Sequence, residues 1–245
     1  LKHIPAGSFV MGSPPTEPGR SKDEDQHEVE IAKSFAIGIH KVTVGQFRAF
    51  VQAQGYQTEG EKAGDKLTWQ QPGFAQTDVH PVVWVTWHDA LAFCAWLSQK
   101  EGRKYGLPTE AQWEYSCRAG AKTMHYFGDD GTKLSGYAWF KANAGNMTHP
   151  VSQLKPNAWG LYDMHGNAWE WLADWYGADY YKGSPKADPP GPEAGCTRVM
   201  RGASYYDDVP DCRSARRNGE NAPTSRYPNV GFRVALLLPV GGSRP

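Results

Sequence analysis

Oxygen donors crowd one short stretch of the chain, Gly160-Leu-Tyr-Asp-Met-His-Gly-Asn-Ala-Trp-Glu-Trp171. Asp163 and Glu170 supply carboxylates, while Gly166 and Ala168 supply carbonyls on a sharp turn; an all-oxygen set of this kind suits a hard cation such as calcium. The same spacing fits a second reading, in which Gly166-Asn167 makes a tight turn and Trp169, Trp171 and Trp175 fill a core. Soft-ligand chemistry has less to work with. The four Cys, Cys94, Cys117, Cys196 and Cys212, contain no C-x-x-C pair, so they fit neither a zinc site nor a disulfide-dense miniprotein. Eight His are scattered without ligand spacing; each reads as a surface or hydrogen-bonded residue, and none is assigned to a transition metal. A Walker phosphate loop, a G-x-G-x-x-G after a strand, a G-x-S-x-G elbow and an H-E-x-x-H pair are all missing, which removes the enzyme classes built on them.

The other chemically dense region is C-terminal. Tyr205, Tyr206, Asp207, Asp208, Asp211, Arg213, Arg216, Asn218, Glu220, Asn221 and Tyr227 mix rigid aromatics with charged and amide groups, the palette of binding surfaces and antibody loops. Facing solvent, they would form a surface for a protein or other ligand.

The elements that must position these residues are legible mainly in the first half. Ile4–Ser13 reads as a strand ending in a Gly turn, Pro14–Gln26 as a solvated loop, and Glu28–Ile39 as one or two strands. Thr43 caps a predicted helix that runs to about Gln54, with Val44, Phe47, Phe50 and Val51 on one face and Gly55 as its stop. After the strand-like Val82–Val85, Thr86 and Asp89 form a capping-box pair ahead of a buried stripe of Ala90, Phe93, Cys94 and Leu97. Thr109 and Gln112 open a third helix with Trp113 facing inward, ending near Gly120. From Ala121 onward Gly, Pro, Asn and aromatics recur every few positions, which predicts short strands threaded through long ordered loops.

Composition agrees with that picture. Ten Trp, 12 Tyr, 27 Gly and 18 Pro in 245 residues favour a loop-rich α+β fold over a helical bundle. No linker, repeat or low-complexity tract divides the chain, so 1–245 is read as a single domain. Twenty-six Lys+Arg balance 26 Asp+Glu, so no net field favours nucleic acid or an anionic membrane. The longest apolar runs, Pro81–Trp87 and Val234–Val240, are strand-sized, and no membrane insertion is expected. The chain begins at Leu1 and reads as processed or excised from a longer protein. Its compartment is not fixed by any signal, with an exported or cell-surface setting as the expectation.

Several blocks together carry a resemblance. Ile4–Ser13, Leu107-Pro-Thr-Glu-Ala-Gln-Trp-Glu-Tyr-Ser-Cys-Arg-Ala-Gly120, Gly160–Trp171, Arg198-Val-Met-Arg-Gly-Ala-Ser-Tyr205, Cys212-Arg-Ser-Ala-Arg216 and Gly231-Phe-Arg-Val234 resemble, in order, the motifs of the formylglycine-generating enzyme, or sulfatase-modifying factor, family. The resemblance covers nearly the whole chain and implies a C-type-lectin-like fold. It also implies a calcium site at Asp163, Gly166, Ala168 and Glu170, and pairs Cys117 with Cys212, as a disulfide in an oxidising compartment and as packed thiols in the cytoplasm, with Cys94 left as a buried free thiol. A second family calcium site keeps only Asn143, because the following acidic loop is shortened to Gly145–His149.

The chain departs from the family where the chemistry would be. Members that oxidise a substrate cysteine carry two redox cysteines in the loop between the G-G-S-Y-like block and the C-R-x-A-R block, where paired thiolates bind copper(I) and activate oxygen. Here that loop is Tyr205-Tyr-Asp-Asp-Val-Pro-Asp211, without Cys, so no copper is expected. The same stretch, closed by Gly231-Phe-Arg, is similar to the variable region of retroelement-diversified proteins; Tyr and Asp codons each lie one base from Asn codons. The reading that follows is a non-catalytic ligand- or protein-binding domain with a C-terminal binding surface. The alternatives are a copper- or iron-dependent oxidoreductase of the same family acting on a protein or peptide, and a structural accessory domain.

Overall fold

A computed structural model of the chain describes residues 1–237, so residues 238–240 of the apolar run and the tail beyond them lie outside the described residues. The predicted strand Ile4–Ser13 narrows to β2 (Gly7–Met11), parted at Pro5-Ala6 from an unpredicted β1 (Lys2–Ile4), and Glu28–Ile39 yields β3 (His27–Ile31) and β4 (Phe35–Ile37). The break has a cause, since a proline has no N–H for a ladder. β1 pairs antiparallel with β4, whereas β2 turns away and pairs with β3 in register from Gly7 opposite Ile31 to Met11 opposite His27.

All α-helices among the described residues precede Ala119. They are α1 (Val44–Gln54), α2 (Glu59–Ala63), α3 (Trp87–Glu101) and α4 (Glu110–Arg118). Each begins with a reciprocal capping box, Thr43 with Gln46, Thr58 with Glu61, Thr86 with Asp89 and Thr109 with Gln112, and each ends on a residue in the left-handed region. Helix α2 was not anticipated, because five residues are too few to show a periodic apolar face. Val82–Val85 corrects the reading in the other direction. It is buried apart from Trp84 but joins no sheet, with Val82 N–H donating to the Val42 carbonyl and Trp84 N–H to that of Tyr227.

The second half is built as its composition predicts, from short strands in long loops. β6 (Trp169–Trp175), β7 (Arg198–Arg201), β8 (Arg217–Asn221) and β9 (Val230–Phe232) form a sheet in the order β8-β7-β6-β9, with β6 and β9 parallel. β10 (Ala235–Leu237) inserts between β4 and β5 (Tyr105–Gly106), so both ends of the described chain share one sheet.

Two apolar clusters hold these layers. One joins α1 and α3 to the β6–β9 edge through Phe47, Phe50, Phe93, Trp171 and Phe232, with the Phe93 and Phe232 rings 5.4 Å apart and edge-on. The other packs α4 against β2 and β3 through Met11, Val29, Trp113, Leu161 and Leu172. Trp169 and Trp171 are core residues as one reading required, whereas Trp175 is half-buried against the Arg198 guanidinium at 3.3 Å.

Candidate binding surface

Segment 205–227 does not present one face. Tyr205 is fully buried, its hydroxyl donating to the Pro228 carbonyl at 3.3 Å and its ring 5.8 Å from that of Phe74. Arg213 is buried too: it bridges both oxygens of Glu24 at 2.7 and 2.8 Å, reaches Glu17 at 2.7 Å, and donates to the carbonyls of Gly19 and Pro210. Asp207 accepts from the N–H and the hydroxyl of Ser204, and burial raises its carboxyl above the ordinary range. These three residues are framework, a correction to the solvent-facing reading, and the reason is that each turns toward an internal partner.

The remainder of the segment lies outward to varying degree. Asp211 pairs with half-buried Arg216 at 3.0 Å, and the Asn218 side-chain oxygen accepts from the Asn221 amide at 2.9 Å. Asp208 meets Lys141 in an exposed ion pair, and Glu220 is exposed. Tyr206 and Tyr227 are the large outward rings, 48% and 42% exposed.

Two aromatic residues that sequence reasoning missed join this surface. Phe74 lies beside Tyr205, which in turn is 4.4 Å from Tyr206 ring to ring. Half-buried Trp84 is bound to the Tyr227 backbone, and its indole N–H donates to the Pro72 carbonyl at 3.0 Å. Trp84 has φ of 59°, a left-handed conformation costly for a bulky side chain and held here by those flanking bonds. The strand-like pattern Val82–Val85 carried no sign of that turn. Phe74 is thus linked through Tyr205 to Tyr206, and Trp84 to Tyr227 by a backbone bond, with Asp208 and Glu220 exposed in the same segment.

The 163–170 turn is sealed. Gly166, with φ of 72°, could not carry a side chain, since a Cβ would lie 2.2 Å from the Trp139 carbonyl oxygen. The Asn167 side chain bonds both the N–H and the carbonyl of His149, and Ala168 is buried. Asp163 accepts the Ser152 N–H at one carboxylate oxygen, while its carbonyl accepts the Lys41 ammonium at 2.6 Å. Both Glu170 oxygens are occupied: Lys41 and Arg233 donate to one at 2.6 and 2.8 Å, Arg233 and Trp113 to the other at 2.7 and 3.0 Å. Burial alone would raise this carboxyl, yet Arg233 and Lys41 hold it at about 2. A divalent ion does not fit oxygens already bonded to an ammonium and a guanidinium, and among the described residues no cluster of three or more His, Cys, Asp or Glu could hold a metal.

The thiols are mostly buried. All four cysteines are unbridged, and only Cys196 is exposed. Cys117 packs in the α4 cluster with its sulfur 3.8 Å from the Ser214 hydroxyl and Cys212 packs in the other cluster, both as thiols. Cys94 is the expected buried thiol. Burial pushes Cys94 and Cys117 up to about 12 and, with Asp207, Asp211 and Asp208 nearby, Cys212 well above its ordinary value.

His125 escapes the surface-or-bonded reading, whereas buried His165 keeps one bond, its Nε2 accepting the Tyr126 N–H at 3.4 Å. His125 and His165 are fully buried with ring centroids 5.5 Å apart, and neither His125 ring nitrogen has a hydrogen-bond partner. Burial lowers His125 to about 4 and His165 well below its usual value.

Comparison with known proteins places these features. Residues 2–237 match the model of the sulfatase-modifying factor enzyme 1-like domain. The chain belongs to this family. A formylglycine-generating enzyme of Streptomyces coelicolor is 32% identical, over 95% of this chain and 87% of that enzyme. The inactive C-alpha-formylglycine-generating enzyme 2 of Mus musculus is 34% identical, over 96% of this chain and 85% of that protein. Among solved structures of the same fold, PvdO from Pseudomonas aeruginosa superposes with a TM-score of 0.85 at 34% identity, covering 96% of this chain and 93% of its own. Treponema denticola variable protein 1 superposes at 0.81 with 26% identity, covering 96% and 94%. The sulfatase-modifying-factor family thus includes both enzymes and a member named inactive, and the α+β architecture of few helices and short strands is common to its solved neighbours.

Proposed function

We propose that this domain is a non-catalytic binding module that holds a protein or other surface ligand on the face formed by Phe74, Trp84, Tyr206 and Tyr227. The observation that carries the reading is the division of segment 205–227. Tyr205, Asp207 and Arg213 anchor it internally, which leaves Tyr206, Asp208, Glu220 and Tyr227 free to face a ligand without being needed for the fold. Exposed Tyr and Trp side chains lose little rotamer freedom on contact and suit such a role. Copper(I) chemistry finds no paired thiolates in the 205–211 loop, and the buried thiols are held protonated. Likeness to a variable protein and to an inactive family member supports the same reading, and the outward positions are the ones a retroelement could diversify.

Peptides selected from a random display library on the wild-type domain test it. The expected result is that selected peptides lose at least about tenfold in affinity on Tyr206→Ala or Tyr227→Ala, the size of one interface anchor. Peptides that bind the double variant unchanged, or aldehyde formation on a sulfatase-type Cys peptide with copper(I) and oxygen, overturn it.

A further inference from the structure

Lys41 is the residue whose placement the fold and the binding surface leave unexplained. Its side chain is wholly buried, and an ammonium survives burial only when oxygen acceptors replace its water. The acceptors here are the Asp163 carbonyl and a Glu170 oxygen, both at 2.6 Å. Those are two of the four residues that oxygen-rich spacing assigned to a hard cation. The ammonium therefore stands at a point shared by both ends of the turn, where a bound cation would bridge them.

The backbone fixes it there. The adjacent Val42 donates to the Phe232 carbonyl and accepts from Val82 N–H, each at 2.9 Å, and Thr43 begins the capping box of α1. Lys41 is thus clamped between β9 and the 82–85 segment with its stem directed into the turn. Arg233, from the other side, covers both Glu170 oxygens and donates to the Gly38 and Tyr162 carbonyls at 2.9 and 3.0 Å. The charged groups that meet here are Glu170 and Asp163 against Lys41 and Arg233, a balanced set of two anions and two cations. A calcium ion, which takes six to eight oxygens, would add two positive charges beside two resident cations and find the Glu170 oxygens taken.

We propose that the Lys41 ammonium is this chain's own substitute for a calcium ion, so that the Asp163–Glu170 turn is cross-linked by a side chain and its stability is independent of calcium. The proposal does not rest on the binding function.

Chelator-treated protein, titrated with calcium chloride in a calorimeter and melted in chelator and in millimolar calcium, decides the matter. The wild type is expected to show no uptake and a melting temperature that moves by less than about 1 °C. Lys41→Ala, which removes the charge and opens the space, is expected to melt lower in chelator and to rise by at least about 4 °C in calcium, while Lys41→Met, which fills the space without charge, shows no such rise. If Lys41→Ala folds only when refolded in calcium, the proposal is supported in its strongest form. One-to-one calcium uptake by the wild type overturns it, as does a Lys41→Ala variant that gains nothing from calcium, whether folded or not.

Discussion

The 163–170 turn and the 205–227 segment draw on the same residue types, yet one is closed and the other is half open. Both offer carboxylates, amides and aromatics beside a tight turn. In the first, every Glu170 oxygen meets an internal donor and the surrounding Trp side chains pack away from water. In the second, the same fate befalls Tyr205, Asp207 and Arg213, while Tyr206, Asp208, Glu220 and Tyr227 keep theirs in solvent. What separates a framework group from a binding one in this fold is a buried internal partner, and the fold supplies many as ion pairs: Glu110 with Arg217, Glu114 with Arg118 and Arg201, Glu24 with Arg213.

That contrast is tested hardest at Arg213. Arg213→Ala strands the buried Glu24 and Glu17 carboxylates and is expected to cost about 3–5 kcal/mol in a urea melt, as is Trp171→Ala through lost packing and a cavity. An Arg213→Ala loss below about 1 kcal/mol would return that residue to the binding surface. One position apart, Tyr205→Ala is expected to cost about 3 kcal/mol as a core truncation, whereas Tyr206→Ala leaves the melt nearly unmoved. Equal effects at the two tyrosines would erase the inward and outward division.

Acid separates the buried charges from the exposed ones on a smaller scale. His125 and His165 have folded-state values below the unfolded 6.5, so the unfolded chain takes up protons first; their contribution is complete above pH 6.5 and is lost as pH falls toward about 4 for His125. Each titrating group adds up to about 1.4 kcal/mol of loss per pH unit in that window. Below about 4.5, Glu170 begins a second loss as pH falls toward its folded value of about 2, again because a lowered carboxylate stabilises only above its unfolded value. Urea midpoints measured from pH 7.5 to 4.5 are expected to hold down to about pH 6.5 and to fall below it. His125→Phe, which forfeits no ring hydrogen bond and keeps the stack on Phe127, is expected to fall less steeply; an unchanged slope would show that the histidine is not buried neutral.

Most of the architecture was legible because it rests on local signals. Thr43, Thr86 and Thr109 each announced a capping box with a partner three residues on, and apolar spacing fixed the inner faces of α1 and α3. Motif order identified the family. The site was less legible, because its composition marks the segment without saying which side chains turn inward. Arg213 faces Glu24 across 189 positions of sequence and Lys41 faces Glu170 across 129, separations at which no periodic pattern operates. Phe74 and Trp84 lie outside the segment altogether and meet it through the Phe74–Tyr205 ring contact and the bond from Trp84 N–H to the Tyr227 carbonyl. The motifs likewise give the positions of Cys117 and Cys212, while the two apolar clusters in which their sulfurs pack are not written in any local spacing.

The smallest expected effects are the most informative about function. Tyr206, Tyr227 and Glu220 expose their side chains and have no internal acceptor or ion pair that the fold depends on, so Tyr206→Ala, Tyr227→Ala and Glu220→Ala are each expected to stay within about 0.5 kcal/mol of wild type. Such tolerance distinguishes a surface kept for ligands from one kept for folding only if it coincides with selectivity. Saturation libraries displayed on yeast provide the comparison: nearly all substitutions at Tyr206, Glu220 and Tyr227 are expected to display at wild-type levels, while at Tyr205 and Arg213 few survive. The surviving outward variants are then expected to differ among themselves in which library peptides they retain, because new side chains there alter the contact surface without altering its frame. Display levels that collapse at Tyr206 or Tyr227 as they do at Tyr205 would assign the outward rings to the core, and the surface would lose the freedom that a binding role requires.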